Sequence, residues 1–252
     1  MADKDKLFSY LLRLADDQQI LSQRLSEWCG HAPTLEEDLA LANIALDLLG
    51  QARSLYTYAG EVEGKGRDED QLAFMRYEND YVNALMVERP NGDFAHTITR
   101  QFFYALFMDL LWQALVKSSD TTIAAIAAKA VKELDYHVRH CSEWVIRLGQ
   151  GTQESHARMV DALDEFAIYT GELFEMDGLA FAMAQSGIGA DVSALQPDWQ
   201  ADVARILDRA GLEMPKVRWM QTGGRSGEHT EHLGHILSQL QYMQRTYPGL
   251  AW

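Results

Sequence analysis

An all-α fold is what this sequence predicts: a helical bundle built on two long hairpins, with further helices after them. Three observations predict it. Apolar residues recur at alternating four- and three-residue spacing over most of the chain, no segment shows the two-residue alternation of a half-buried strand, and glycine, proline and N-capping residues interrupt the pattern at helix-length intervals.

The first helix carries Leu7, Leu11, Leu14, Gln18, Leu21, Leu25 and Trp28 on one seam, with Gln18 its only polar member. Gly30, His31 and Pro33 end it. Thr34 caps the next helix, whose first turn holds Glu36, Glu37 and Asp38, as the helix dipole favours. That second helix runs to about Ala59 and is apolar on more than one side, through Leu35, Leu39, Leu41, Leu46, Leu48, Leu49 and Leu55. It is expected to lie centrally, with Asn43, Asp47 and Gln51 as an internal polar line at i, i+4 spacing. Residues 60–70 are glycine-rich and charged and read as an exposed loop. A third helix is expected over about 71–88, ended by the turn Arg89, Pro90, Asn91, Gly92. The fourth places Ile98, Phe102, Ala105, Asp109, Trp112 and Val116 on one seam. After residues 118–120 the fifth shows Ile123, Ala127, Ala130, Leu134, His137, Cys141, Trp144 and Leu148, with Gly149 and Gly151 as its stop. Further helices are expected over about 154–174, 198–210 and 227–247, with a small-residue stretch after the first of them. One domain over residues 1–252 is expected, a core bundle over about 4–150 and accessory helices over about 154–247.

With 47% hydrophobic and 23% charged residues, the 252-residue chain has the composition of an ordinary soluble globular protein. No apolar run approaches the roughly 20 residues a bilayer requires, and no basic-then-apolar leader opens the chain, so the expectation is a cytoplasmic protein without membrane contact. Cys29 and Cys141 both fall in helical patterns and read as reduced, packed thiols. A formal charge of -15 opposes binding to nucleic acid and to anionic membrane surfaces, and neither is expected as a partner.

The polar interruptions of the apolar seams carry the chemistry. A carboxylate-bridged di-iron bundle takes a Glu from each of two helices and a Glu-x-x-His pair from each of two others, because i and i+3 share a helix face. Here Asp47 is followed three residues later by Gly50, and Glu133 by Tyr136, so both imidazoles are missing. His137 stands one step late, turned by about 100°. Reflecting Asp47 through the first hairpin reaches Asp16, Asp17 and Gln18, and Glu133 reflected through the second comes within about a turn of Asp109. Heights agree; ligand types do not. The expectation is a metal-free bundle in which Asp17, Asp47, Asp109, Glu133 and His137 are degenerate di-iron positions, the acids pairing with His137, Arg13, Arg24 or Arg53 and with Asn43 and Gln51. The alternative is that Asp17, Asp47, Asp109, Glu133 and His137 bind iron irregularly.

Near the C-terminus, Glu228, His229, Glu231, His232 and His235 have chelating spacings, yet His–Glu hydrogen bonding at a helix start or at an interface is the plainer reading, with His229 and His232 as partner-contact candidates. The preceding glycine-rich segment with Arg225 could meet a CoA phosphate, although no phosphate-loop motif is present. No Ser, Cys or His has nucleophile-elbow spacing, so no catalytic residue is assigned.

The segment from Leu21 to Arg53, LSQRLSEWCGHAPTLEEDLALANIALDLLGQAR, and HTEHLG from His229 resemble the C subunits of the bacterial ring-1,2-phenylacetyl-CoA epoxidases, also called phenylacetate-CoA oxygenases. PNG at Pro90, RQFF at Arg100 and TGG at Thr222 extend the resemblance over essentially the whole chain. It implies a ferritin-like helical subunit of a multicomponent monooxygenase in phenylacetate degradation. A related A subunit would bear the two irons, and this chain would be its structural partner, with no cofactor of its own. The missing imidazoles at Gly50 and Tyr136 agree with that. An acyl-CoA-binding module is a further alternative, and self-association of the isolated chain stays open.

Overall fold

The computed structural model of the protein describes residues 3–250, and every regular element among them is helical. In chain order these are α1 (Lys4–Ser26), α2 (Leu35–Glu63), α3 (Glu69–Phe74), α4 (Leu85–Glu88), α5 (Phe94–Leu115), α6 (Thr121–Gly149), α7 (Gln153–Ala167), α8 (Gly178–Gln185), α9 (Gln196–Ala210), α10 (Glu231–Leu240) and α11 (Tyr242–Thr246). They fall into two compact units. One takes the chain up to Pro90 together with the part from Gly223, and the other takes Asn91–Thr222. The helices after Gly151 are thus shared between the units: α7, α8 and α9 belong to the second, α10 and α11 to the first.

In the first unit α1 and α2 form a long hairpin. Leu11, Leu21 and Leu25 face Leu41, Leu48 and Leu55 across a fully buried seam, where each leucine contributes about 1.5–3 kcal/mol relative to exposure. Ser22 Oγ donates to the Ala45 carbonyl at 2.7 Å and ties the pair near the C-terminal end of α1. Thr34 caps α2 as predicted, and the helix runs four residues beyond Ala59 to a left-handed stop at Gly64. Gly60 has to be glycine, because a Cβ there would lie 2.2 Å from the Arg67 carbonyl oxygen of the returning loop. The predicted central burial of α2 is not found. Leu35, Leu39, Leu46 and Leu49 are 71, 56, 64 and 41% exposed, so only one of its apolar sides is covered.

The helix expected over 71–88 is replaced by α3, a 3-10 turn at Glu78–Asp80, extended residues 81–84 and α4. The reason lies in α1. Asp16 accepts the Val82 N–H at 2.9 Å and Asp17 accepts the Ala84 N–H at 2.7 Å, so two backbone donors that a helix would pair internally go to buried carboxylates instead. The terminal helix is likewise broken, between α10 and α11, where the Gln241 side chain donates to the Arg76 carbonyl at 3.0 Å and the Tyr81 hydroxyl at 3.1 Å.

In the second unit α5, capped by Asp93, is buried on almost every side, and α6, capped by Asp120, buries Ile123, Ala127, Ala130, Leu134, His137, Cys141 and Val145 along one seam. Helix α9 closes on α6 where a Cβ at Gly149 would come within 2.5 Å of the Ala210 carbonyl oxygen. Trp199 donates to the Phe103 carbonyl at 3.0 Å and meets the Phe103 ring in a tilted and the Phe174 ring in an edge-to-face contact, at centroid separations of 5.5 and 5.4 Å. Neither cysteine is in a disulfide; Cys141 is buried in α6, but Cys29 lies exposed in the turn after α1 rather than packed in a helix. Among the described residues no helix is long and apolar enough to cross a membrane.

Candidate functional site

Adjacent residues on a helix point about 100° apart, so Asp16 and Asp17 at the middle of α1 serve two different neighbours. Asp16, with no exposed surface, accepts the Tyr56 hydroxyl at 2.6 Å from α2 and the Val82 N–H, and pairs with both terminal nitrogens of Arg76. The Arg76 guanidinium lies over the Tyr81 ring at 4.2 Å and the Tyr56 ring at 5.5 Å. Burial by itself would lower the Arg76 pKa; Asp16 and the two phenols reverse that and hold it above its ordinary value. Burial, reinforced by Asp16, holds the Tyr56 phenol well above 10, and burial pushes Tyr81 up to about 12, so both remain neutral donors.

Asp17 meets Arg225 in a two-pronged pair, Nη1 to Oδ1 at 2.9 Å and Nη2 to Oδ2 at 2.8 Å. Burial pushes its carboxyl up against the pull of Arg225 and the Ala84 N–H. A third buried acid completes the layer. Glu88 Oε1 accepts the Thr230 N–H at 2.7 Å and its hydroxyl at 2.8 Å, while Oε2 accepts Asn83 Nδ2 at 3.0 Å and faces His229 Nδ1 at 2.9 Å. Arg24 clamps the Glu88 carbonyl at 3.1 and 2.8 Å, satisfying the end of α4. Three buried anions thus meet Arg76, Arg225 and His229. Such a layer fixes the path of the chain segments that supply its members, and each of its carboxylates is hydrogen-bonded within the chain.

The structure places the sequence-derived positions as follows. Asp17 is in that layer and Gln18 is buried beside it. On α2, Gln51 is buried, Asp47 half-buried and Asn43 exposed, so the expected polar line is internal only at its far end. Arg53 pairs with Glu69 at 3.1 Å on the surface rather than with a buried acid. In the second unit Asp109 is half-buried and accepts Gln113 Nε2 at 2.8 Å, Glu133 pairs with Lys129 at 3.3 Å, and His137 is buried. Burial raises the Asp109 carboxyl. Within neither unit, among the described residues, do three or more His, Cys, Asp or Glu side chains gather as a metal ion requires. Position 50 is a glycine, and Tyr136 is 38% exposed on α6. The His229 side chain, 2% exposed, turns inward to Glu88 and Tyr81, and His232 is half-buried, its pKa lowered by burial and by Arg89. Arg225 is turned onto Asp17 rather than toward a CoA phosphate.

Sequence reasoning did not find Arg76, Arg225 or Glu88 as the members of this layer. The Asn79-Asp80 pair inside the expected third helix was the available signal for a turn at that point. Nothing local marks Arg225, which lies 208 residues from Asp17.

Two long helical hairpins, with only helices as regular elements among the described residues, make this an all-α protein of the ferritin-like class. The chain belongs to the family described as Phenylacetic acid catabolic protein, which matches residues 1–252. It is 48% identical over 248 residues to the C subunit of the 1,2-phenylacetyl-CoA epoxidase of Escherichia coli (strain K12), a span of 98% of this chain and 100% of that relative.

Proposed function

We propose that this chain is a structural subunit of a 1,2-phenylacetyl-CoA epoxidase, holding an iron-bearing A subunit in shape and carrying no metal or catalytic residue of its own. The observation that carries the reading is the two-pronged Asp17–Arg225 pair. A carboxylate at the height of a bundle metal site spends both oxygens on a guanidinium of the same chain. Gly50 and Tyr136 stand where Glu-x-x-His patterning would put imidazoles, so the donor set does not fit a carboxylate-bridged iron pair in either unit. That the relative is the C subunit of an epoxidase supports membership in a multi-subunit enzyme.

The contact surface in this reading is the uncovered side of α2. Leu35, Leu39, Ala42, Leu46 and Leu49 follow the four-three spacing of a helix-packing seam, and the four leucines are exposed. A pocket of about 350 Å³, lined by Leu49, Arg53, Tyr56, Glu69 and Phe74, adjoins its far end and would take an anchoring side chain.

Metal content measured by plasma emission on the chain expressed alone with ample iron, and again after co-expression with the A subunit, tests the proposal. Near-zero iron alone and about two irons per heterodimer are expected. Stoichiometric iron in the chain alone overturns it and makes Asp17, Asp47, Asp109, Glu133 and His137 candidate ligands again.

A further inference from the structure

Residues 223–240 lie as a strap against α1 and α4 within the first unit. Its polar attachments include Arg225 on Asp17 and the Val82 carbonyl, Thr230 on Glu88 and His229 on Glu88 and Tyr81. Of these groups the imidazole is the one whose ordinary titration falls near neutrality.

Both ring nitrogens of His229 face acceptors: Nδ1 lies 2.9 Å from Glu88 Oε2, and Nε2 lies 2.8 Å from the Tyr81 carbonyl oxygen. A carbonyl oxygen only accepts. The Glu88 carboxylate already accepts two donors from Thr230 and one from Asn83, so it too stands as an acceptor. A neutral imidazole has one N–H and would set a lone pair against one of these oxygens, inside a site that excludes water. We propose that residues 223–240 form a protonation-dependent latch, held on α1 and α4 while His229 carries a proton on each ring nitrogen and loosened when it loses one.

The acidic groups facing His229 are Glu88 from α4 and Asp16 from α1. The neighbouring cations are engaged elsewhere: Arg24 on the Glu88 carbonyl, Arg76 on Asp16 and Arg225 on Asp17. Burial opposes the charged ring, but the Glu88 and Tyr81 hydrogen bonds outweigh it and raise the His229 pKa above its ordinary 6.5. The folded state therefore binds the proton more tightly than the unfolded chain. Its contribution is fully present below 6.5 and is lost as pH rises through the raised folded value.

Hydrogen exchange on the full chain, from below pH 6.5 to mildly alkaline solution and corrected for intrinsic exchange, reads the latch directly. Amides of Thr230, Leu233, Ile236 and Leu237 should lose protection across that range while those of α5 and α6 keep theirs, and in His229→Gln the loss should be present at every pH. Constant strap protection, equal loss in α5 and α6, or an unchanged pH response in the variant overturns the proposal. Should the variant not fold, a pH titration of the wild-type ring by nitrogen NMR decides. Followed against pH, the ring should change from two protonated nitrogens to one with a midpoint above 6.5, and a midpoint at or below 6.5 overturns the latch.

Discussion

At the scale of single residues, Asp16 and Arg76 show what a buried ion pair does here. Their side chains are 0 and 5% exposed, so neither charge reaches water when the other is removed. Arg76→Ala should cost about 3–5 kcal/mol, read from urea denaturation, because it strands the Asp16 carboxylate. Adding Asp16→Asn should recover part of that loss only, since the Val82 N–H and the Tyr56 hydroxyl still need acceptors. A loss below about 1 kcal/mol for Arg76→Ala, the scale of an exposed pair, would count against a desolvated pair. Sequence alone exposed one half of this arrangement. Acids at the mid-height of an apolar helix stand out against Leu14 and Leu21, and Asp16 and Asp17 fall at the height reflected from Asp47. Their counter-charges do not stand out, because an arginine in a polar segment looks solvated until the fold turns it inward. Arg76 and Arg225 reach their acids across 60 and 208 residues, a separation that no local pattern encodes.

At the scale of elements, α1, α2, α5 and α6 were legible because local rules agree in each of them. Asp3, Thr34, Asp93 and Asp120 cap their starts, and four-three spacing marks the buried faces. The stretch 71–88 was not, because helical periodicity there competes with two carboxylates that take backbone N–H groups from outside the segment. On α2 the same periodicity was over-read. It marks every apolar side as buried, whereas this chain covers one and leaves Leu39 and Leu46 at 56 and 64% exposure. In the proposed assembly those side chains are covered by the partner. Leu39→Glu with Leu46→Glu should therefore abolish co-purification with the A subunit while each change moves the isolated chain's stability by no more than about 0.5 kcal/mol, as exposed positions do. Retained complex at wild-type yield would place the contact elsewhere, and a large loss of stability would show that the seam is used within the chain.

At the scale of the whole molecule, the chain leaves its first unit at Pro90 and re-enters it at Gly223, so that unit is closed by segments far apart in sequence. Periodicity gives helices but not this partition, which is why residues 154–247 read as one accessory group. The re-entering segment brings Arg225 to Asp17, His229 and Thr230 to Glu88, and Gln241 to the Arg76 carbonyl. Removing residues 223–252 would strip two buried carboxylates of their partners at once, at about 3–5 kcal/mol each. That is comparable with the whole stability of a typical domain, about 5–15 kcal/mol. The truncated chain should therefore lose amide protection throughout α1 and α2. The second unit receives none of these polar contacts, so α5 and α6 should keep their slow-exchanging core. Slow exchange surviving in α1 and α2 would mean that the hairpin stands without its strap, and loss of protection in all four helices would mean that the two units unfold as one.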